Sequence, residues 1–488
     1  MQYEVDVLIV GAGLAGIGFA HHLQNACPTR SYKILESRPS IGGTWDLFRY
    51  PGVRSDSDMH TYGYSFKPWQ DERAIAPGGL IRDYIIEAAR EADIDKHIHY
   101  GHSVKEARWD RLTAKWTVLA FQSDTGESVH ITCSWLQLCT GYYSYTQGYT
   151  PDFPGQNNFR GEIIHPQAWP EAISLSGKRI IVIGSGATAV TLIPSLIKVA
   201  GHVVMLQRSP SFIHALPSVD AFSKRVRQLL PKKWAHLLIR WLGSRLEDRE
   251  YTEARKDPDK ALKHFLRDTR QALPAGYDVE KHFLPRYGAW DQRVCVSPDG
   301  DFFDAISTGK ASVETEEIDA FTDAGIRLNT GKELSADIII TATGLNMVLG
   351  GDIIFYVDDK VINLKDRFLY RGNMLSDMPN LSLSTGTFTA SYTPRIELVA
   401  KYVCRLLNHL VDQGLSDATP LLPPTKGEQR GRAYIEGFSA GYVRRAIGEL
   451  PRQGKEEPWR NEQSFRENKR LLTAAVDDGV LQFRHAPG

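Results

Sequence analysis

Two glycine-rich strings, Gly11-Ala12-Gly13-Leu14-Ala15-Gly16 and Gly184-Ser185-Gly186-Ala187-Thr188-Ala189, carry the first chemical information in this chain. Each follows a strand-like apolar run (residues 5–10 and 179–183) and opens a helix-like one. Glycines at such a junction let backbone N–H groups approach a pyrophosphate, which then lies on the positive end of the helix. In the first string Gly11 serves the tight turn, Gly13 the close approach of phosphate, and Gly16 the packing of helix on strand. Glu36 follows 20 residues beyond Gly16, at the end of the next strand-like run. A carboxylate there accepts both ribose hydroxyls and repels a 2′-phosphate, which fits FAD or NAD. In the second string Ser185, Ala187 and Thr188 accompany Gly184 and Gly186, and the corresponding ribose position reads Gln207-Arg208-Ser209. Arg208, supported by Ser209, suits the 2′-phosphate of NADP. Two dinucleotide sites in one chain imply two redox cofactors that exchange electrons.

Two longer strings narrow the chemistry. Gly42-Gly43-Thr44-Trp45-Asp46-Leu47-Phe48-Arg49-Tyr50-Pro51-Gly52-Val53-Arg54-Ser55-Asp56 has the form Gly-Gly-x-Trp…Tyr-Pro-Gly-x-x-x-Asp. Phe159 to Pro170 has the form Phe-x-Gly-x-x-x-His-x-x-x-Trp-Pro. In these strings the chain resembles the Baeyer–Villiger monooxygenases, class B flavoprotein monooxygenases, and it looks closest to the subgroup that activates thioamide prodrugs such as ethionamide. The resemblance runs over essentially the whole chain. Trp169 stands where related N- and S-oxidising enzymes carry Phe or Tyr, which favours the ketone branch.

The resemblance implies FAD at the first glycine string and NADPH at the second. NADPH reduces FAD, O2 adds at C4a, and the resulting peroxide converts a ketone to an ester or lactone, with sulfides and thioamides oxidised as well. It places Thr44, Trp45 and Tyr62 against the flavin and counts Val104 among the cofactor-binding residues. It makes Arg293, in Trp290-Asp291-Gln292-Arg293, the active-site cation and Asp56 its orienting carboxylate. Such chemistry needs a fixed positive charge, because the peroxide anion and the tetrahedral adduct are both negative in a dry site. The resemblance treats Phe159, Gly161, His165 and Trp169 as a coupling element between domains. Gln292 departs from the family, which often has lysine there to help hold the 2′-phosphate, so Arg208 and Ser209 carry more of that task. Heteroatom oxygenation by the same cofactors and a non-enzymatic flavin/NADPH redox sensor are the alternatives.

The elements that must position these residues alternate between strand and helix from the start, as in an α/β chain with parallel sheets. Residues 5–10, 14–23 and 32–35 read as one βαβ unit, and residues 179–183, 187–199 and 203–206 as a second. After the first unit, runs at 116–121 and 128–133 flank a turn, and a run at 135–138 ends in Cys139-Thr140-Gly141; after the second, runs at 326–328 and 333–334 flank another, and 338–340 ends in Ala342-Thr343-Gly344. The repeated order predicts two Rossmann-like dinucleotide-binding domains, the second nested in the first. The FAD domain is expected over 1–145 and 344–488, the NADPH domain over 146–214 and 290–343, and a helical insertion over 215–289. Residues 142–160, rich in Tyr, Pro, Gly and Asn, read as the crossing between domains.

Composition excludes several classes. The 58 basic and 58 acidic side chains cancel, so nothing draws the chain to nucleic acid. The five cysteines contain no C-x-x-C pair, against a disulfide reductase or zinc ribbon, and His97, His99 and His102 lack a supporting ligand cluster, so no metal is expected. No apolar run reaches membrane-spanning length and the N-terminus enters a strand at once, so a cytoplasmic protein is expected; the resemblance implies a small-molecule ketone or sulfide and O2 as its reaction partners. Residues 222–246 carry seven Lys and Arg and no carboxylate, with apolar residues at helical spacing. They are expected to pack over the substrate pocket, with weak association at a membrane surface as the alternative. Gly437-Phe438-Ser439-Ala440-Gly441 matches a serine-hydrolase elbow, but residues 432–436 make a poor buried strand, and a hydrolase is set aside.

Overall fold

The strand Gln2–Val10 holds Val7, Leu8 and Ile9 fully inside on both of its faces, as a parallel strand covered by helices requires. In the computed structural model, which describes residues 2–422 and 431–485, it pairs in parallel with Tyr32–Leu35 on one side and with Ser128–Leu138 on the other. The second pairing runs from Gln2 opposite His130 to Val10 opposite Leu138, so 128–133 and 135–138 are one continuous strand, not the two runs that the pattern suggests. The antiparallel strands His102–Asp110 and Lys115–Gln122 extend this sheet. Its membership then returns from far along the chain: Leu381–Leu383 pairs with the end of Ser128–Leu138, and Ile354–Val357 with His102–Asp110.

A second sheet contains five strands, all parallel, in the order Ala311–Thr315, His202–Gln207, Arg179–Ile183, Ile338–Thr341, Glu162–Ile164. All its strands fall between residues 162 and 341, so it interrupts the first sheet in sequence, as the repeated order predicts. The helices Leu14–Ala26 and Ala187–Leu196 follow the two glycine strings. The second stops short of the expected 199, with Pro194 in its last turn removing an N–H donor. The two crossings between sheets lie side by side, Tyr143–Gly148 paired antiparallel with Leu345–Met347.

Residues 215–289 are helical, over Ala221–Leu229, Lys232–Lys256, Pro258–Ala272 and Val279–Phe283. Both ends of the insertion are tied together by the parallel pairing of Ile213–Leu216 with Cys295–Pro298. The inner face of the long helix carries Ala235, His236, Ile239, Arg240 and Ser244. Arg240 donates to the Thr61 carbonyl at 2.8 Å, to the Gly63 carbonyl, and to Glu397 at 2.8 Å on the helix Tyr392–Asp412. Among the described residues no helix is long and apolar enough to cross a membrane.

The Arg240–Glu397 pair fastens the insertion to the first domain, and both partners are buried. Burial opposes the charge on Glu397, but the Arg240 guanidinium and His22 outweigh it and hold the carboxyl down at about 2. Its contribution is therefore complete above the unfolded value of about 4.3 and is lost as pH falls towards about 2. We expect Glu397→Gln to cost about 3–5 kcal/mol at neutral pH by leaving a buried cation uncompensated. Its melting temperature should also fall less steeply than that of the wild type between pH 5 and pH 3, which thermal unfolding across that range measures.

Candidate functional site: a cavity shared by two glycine cradles

Each glycine string owes its shape to close backbone approach. Gly11 has φ +106°, and a Cβ there would lie 2.5 Å from the Cys139 carbonyl oxygen. Gly184 has φ +131°, and a Cβ there would lie 2.3 Å from the Ala342 carbonyl oxygen. Thus the two strands that end in Thr-Gly press on the first glycine of each motif in the same way. Gly16 lies behind the surface, where a Cβ would stand 1.9 Å from the Gly11 oxygen. The middle glycines differ: a Cβ on Gly186 would meet nothing within 4 Å, and one on Gly13 only the Gly43 backbone from 3.5 Å. Both are helix N-caps without a capping side chain, so the first N–H groups of each helix are left to an outside acceptor. These are the features a phosphate needs, and the residues present fit two dinucleotides.

Both cradles open into one cavity of about 1360 Å³. Gly11, Gly13, Glu36, Thr44, Trp45, Asp56, Tyr62 and Val104 line it from the first domain, and Gly184, Ser185, Gly186, Ala187, Thr188, Arg208, Ser209 and Arg293 from the second. Glu36 is buried; its oxygens accept from the Ala12 N–H at 2.8 Å and the Arg38 N–H at 2.9 Å, and burial raises its pKa. The Trp45 indole donates to the Tyr62 hydroxyl at 2.9 Å, with the rings edge to face. Arg208 is exposed at the cavity wall and, among the described residues, forms no ion pair. The Ser185 hydroxyl donates to the Ser209 carbonyl at 3.0 Å, which holds the glycine turn against the strand end that carries Arg208.

Arg293 lies 4.0 Å from Asp56. Burial works against its charge, but the Asp56 carboxylate favours the cation and raises its pKa; Tyr142, Tyr143 and Tyr442 line the same cavity. It therefore stays charged throughout the physiological range. The tyrosines pack on one another, Tyr142 on Tyr143 at 4.4 Å and Tyr143 on Tyr442 at 5.7 Å between ring centres. Sequence reading missed them: Tyr142 and Tyr143 follow Thr140-Gly141 directly, in the stretch read only as a crossing.

The loop before Arg293 is held from two sides. Trp290 has φ +68°, a left-handed conformation that costs a non-glycine residue about 1 kcal/mol or more. The Asp291 carboxylate accepts from the Gly288 N–H at 2.9 Å and pairs with Arg255 of the long insertion helix. The Asp291 carbonyl accepts from both the Ser439 N–H, at 2.6 Å, and its hydroxyl, at 3.2 Å. The hydrolase-like string Gly437 to Gly441 is thus a clasp on the arginine loop, and Arg255 also reaches the Gly437 carbonyl at 3.3 Å. Only this packing reveals the role of Ser439 and Arg255.

Phe159, Gly161, His165 and Trp169 do not line the cavity. Phe159 meets Phe321 edge to face, and a Cβ on Gly161 would lie 2.3 Å from the Asp337 carbonyl, so both seat the edge strand Glu162–Ile164. His165 accepts from the Gln167 N–H at Nδ1 (3.1 Å), which leaves Nε2 to donate to the Gly344 carbonyl (3.1 Å). Gln167 in turn donates to the Ser144 carbonyl at 2.8 Å. The string therefore grips both crossings at once. The Tyr-Pro-Gly turn of the earlier string does similar work from the other domain. Tyr50 is buried in one core with Ala189, Val190 and Ile193, and a Cβ on Gly52 would lie 2.2 Å from the Ser195 hydroxyl, on the second glycine helix.

One expectation is corrected. The insertion does not pack its apolar face over the cavity: Tyr287 is the one residue of 215–289 on the lining. The long helix turns its small and polar residues inward, and Trp234 and Trp241 outward. Among the described residues no three His, Cys, Asp or Glu side chains come together as a metal-ion set.

Two glycine cradles that open into one cavity, with Arg293 on its wall, fit an oxidoreductase with two coenzymes. The Flavin-binding monooxygenase-like family matches residues 75–411, and the NAD(P)-binding Rossmann-like domain matches residues 9–71. The chain belongs to the flavin-binding monooxygenase family and is an enzyme of that class. It is 47% identical to the FAD-containing monooxygenase EthA of Mycolicibacterium smegmatis, over 99% of this chain and 98% of that protein. It is 46% identical to EthA of Mycobacterium tuberculosis, over 100% of this chain and 99% of that protein. Its fold is also that of an oxidized steroid monooxygenase solved with NADP, at a TM-score of 0.78 and 20% identity, over 99% of this chain and 100% of that one.

The Gly16 contact makes a direct check. Gly16→Ala would force helix and turn apart, and we expect the purified variant to hold less than about a tenth of the wild-type flavin per chain. Flavin absorbance after desalting measures it.

Proposed function

We propose that this protein is an FAD-containing Baeyer–Villiger monooxygenase that uses NADPH and O2 to convert ketones to esters or lactones, and that it also oxidises sulfides or thioamides. The observation that carries the reading is the charged Arg293, paired with Asp56, inside a cavity common to both glycine cradles. FAD reduced by NADPH supplies the oxygen-activating chemistry. The residues of this chain do the rest. Gly11, Gly13 and Glu36 would hold the FAD pyrophosphate and ribose, with Val104, on the strand that meets Glu36, lining the same end and Thr44, Trp45 and Tyr62 against its ring system. Gly184, Ser185, Gly186, Ala187 and Thr188 would receive the NADPH pyrophosphate, and Arg208 with Ser209 its 2′-phosphate. A steroid monooxygenase of the same fold was solved bound to NADP, which supports NADPH as the second coenzyme.

Arg293 would hold negative charge that develops on oxygen as the carbonyl is attacked, in a setting where a pre-placed cation is worth most. Asp56 orients it. The Trp290 to Arg293 loop, clasped by Ser439 and Arg255, fixes the guanidinium so that little rearrangement accompanies the reaction. His165 and Gln167 would relay the state of one domain to the other through the paired crossings. We assign 1–145 and 344–488 to the FAD domain, 146–214 and 290–343 to the NADPH domain, and 215–289 to the insertion.

A ketone and sulfide panel with NADPH under 18O2, read by mass spectrometry, tests the activity. Esters two mass units heavier are expected; NADPH consumption without oxygenated product would overturn the reading. Arg293→Ala should leave flavin reduction by NADPH within about threefold of wild type and lower ester formation at least about a hundredfold. Arg208→Ala should lower kcat/KM for NADPH by about ten- to a hundredfold and leave that for NADH nearly unchanged, and an unaltered ratio would remove Arg208 from the coenzyme site.

A further inference from the structure

The helices Ala221–Leu229 and Lys232–Lys256 pack together through Val226, Ala235, Ile239 and Leu238. That small core leaves much apolar surface unpartnered. On the long helix Trp234, Leu237 and Trp241 form one outward stripe, with Trp234 66% and Trp241 49% exposed. Phe222 and Leu229 of the short helix are exposed as well, Leu229 at 75%. A stripe this apolar on a soluble face marks an interaction surface.

The charges around it say what kind. Residues 222–246 contain no carboxylate. Three of the seven cations have partners elsewhere: Arg240 on Glu397, Lys224 on Glu72, and Arg227 on the Gln70 and Asp71 carbonyls. Exposed Arg225 and Lys233 stand four residues before Leu229 and Leu237 on their helix faces, Lys232 is exposed at the start of the long helix, and Arg245 lies over the Trp241 ring at 4.1 Å. Lys232 and Lys233 open the long helix, which has no capping side chain and no acid in its first turn. Cations at a helix N-terminus oppose the macrodipole, so folding gains nothing from them there. An anionic partner would relieve that repulsion.

We propose that this face docks the protein on anionic phospholipid bilayers. Trp side chains favour the boundary between headgroups and acyl chains, and Lys and Arg beside them reach back to phosphate. A second copy of the chain fits less well, because a two-fold contact would bring the same cationic patch against itself. The surface lies away from the cavity and is independent of the reaction assigned above.

The FAD-loaded full chain is sedimented with vesicles of pure phosphatidylcholine and of phosphatidylcholine with about one-third phosphatidylglycerol. Binding at least about tenfold tighter to the anionic vesicles, weakening at high salt, is expected. Trp234→Ala/Trp241→Ala and, separately, Lys232→Glu/Lys233→Glu should each lower that affinity about tenfold or more, with flavin content and NADPH oxidation unchanged. Should the tryptophan variant lose its flavin, the lysine variant and the wild-type salt dependence decide. Equal binding to both vesicles, no binding, or variants that bind like wild type would overturn the proposal. So would a lipid-free dimer that the tryptophan variant dissolves, which would give the face to a second copy.

Discussion

A cation that is to meet charge developing in a cavity must be held at a fixed place, and several segments of this structure converge on the loop that carries Arg293. Its carboxylate partner, Asp56, comes from the loop after the first βαβ unit, and its tyrosines come from the crossing and from the C-terminal segment. The loop that carries it includes a left-handed Trp290 and is clasped by Ser439 and by Arg255 of the insertion. Segments distant in sequence thus converge on one charge. None of these contacts alone would hold the arginine in place.

The same logic explains the nesting of the two dinucleotide units. Each makes its own cradle by pressing a strand end on the first glycine, and the two cradles are useful together only if they face each other. Short-range packing enforces that orientation. The Tyr-Pro-Gly turn of the first unit seats on the glycine helix of the second, and His165 with Gln167 ties down both crossings. These contacts sit between the bodies and leave the cavity free for ligands. A neutral His165 suits the task, since one ring nitrogen must accept and the other donate, and burial lowers its pKa.

The insertion behaves as a brace with two faces. Inward, Arg240 meets Glu397 and backbone carbonyls next to Tyr62, so the brace reaches a cavity residue while of its own residues Tyr287 alone is on the lining. Outward, Trp234, Leu237 and Trp241 stay exposed beside exposed cations of the same helix. Amphipathic spacing alone predicts burial of that stripe. The fold does the reverse because the small residues and the ion pair sit on the opposite side of the helix.

Much was legible in the residues alone. Glycine at fixed offsets after a strand has a local steric reason, so both cradles, Glu36 and Arg208 could be named without coordinates, as could the α/β class and the nested order. Alternation of strand and helix is likewise a short-range property. The continuity of Ser128–Leu138, the tyrosine cage, the clasp made by Ser439, and the direction in which the insertion turns its tryptophans belong to the tertiary structure. Each depends on a partner supplied by another part of the chain. The string around Ser439 matches a hydrolase elbow that the poor strand before it sets aside, and its place in the fold is that of a brace, because Asp291, 148 residues away, presents its carbonyl there. Local pattern decides what a segment can become; the long-range contacts of burial and charge decide what it faces.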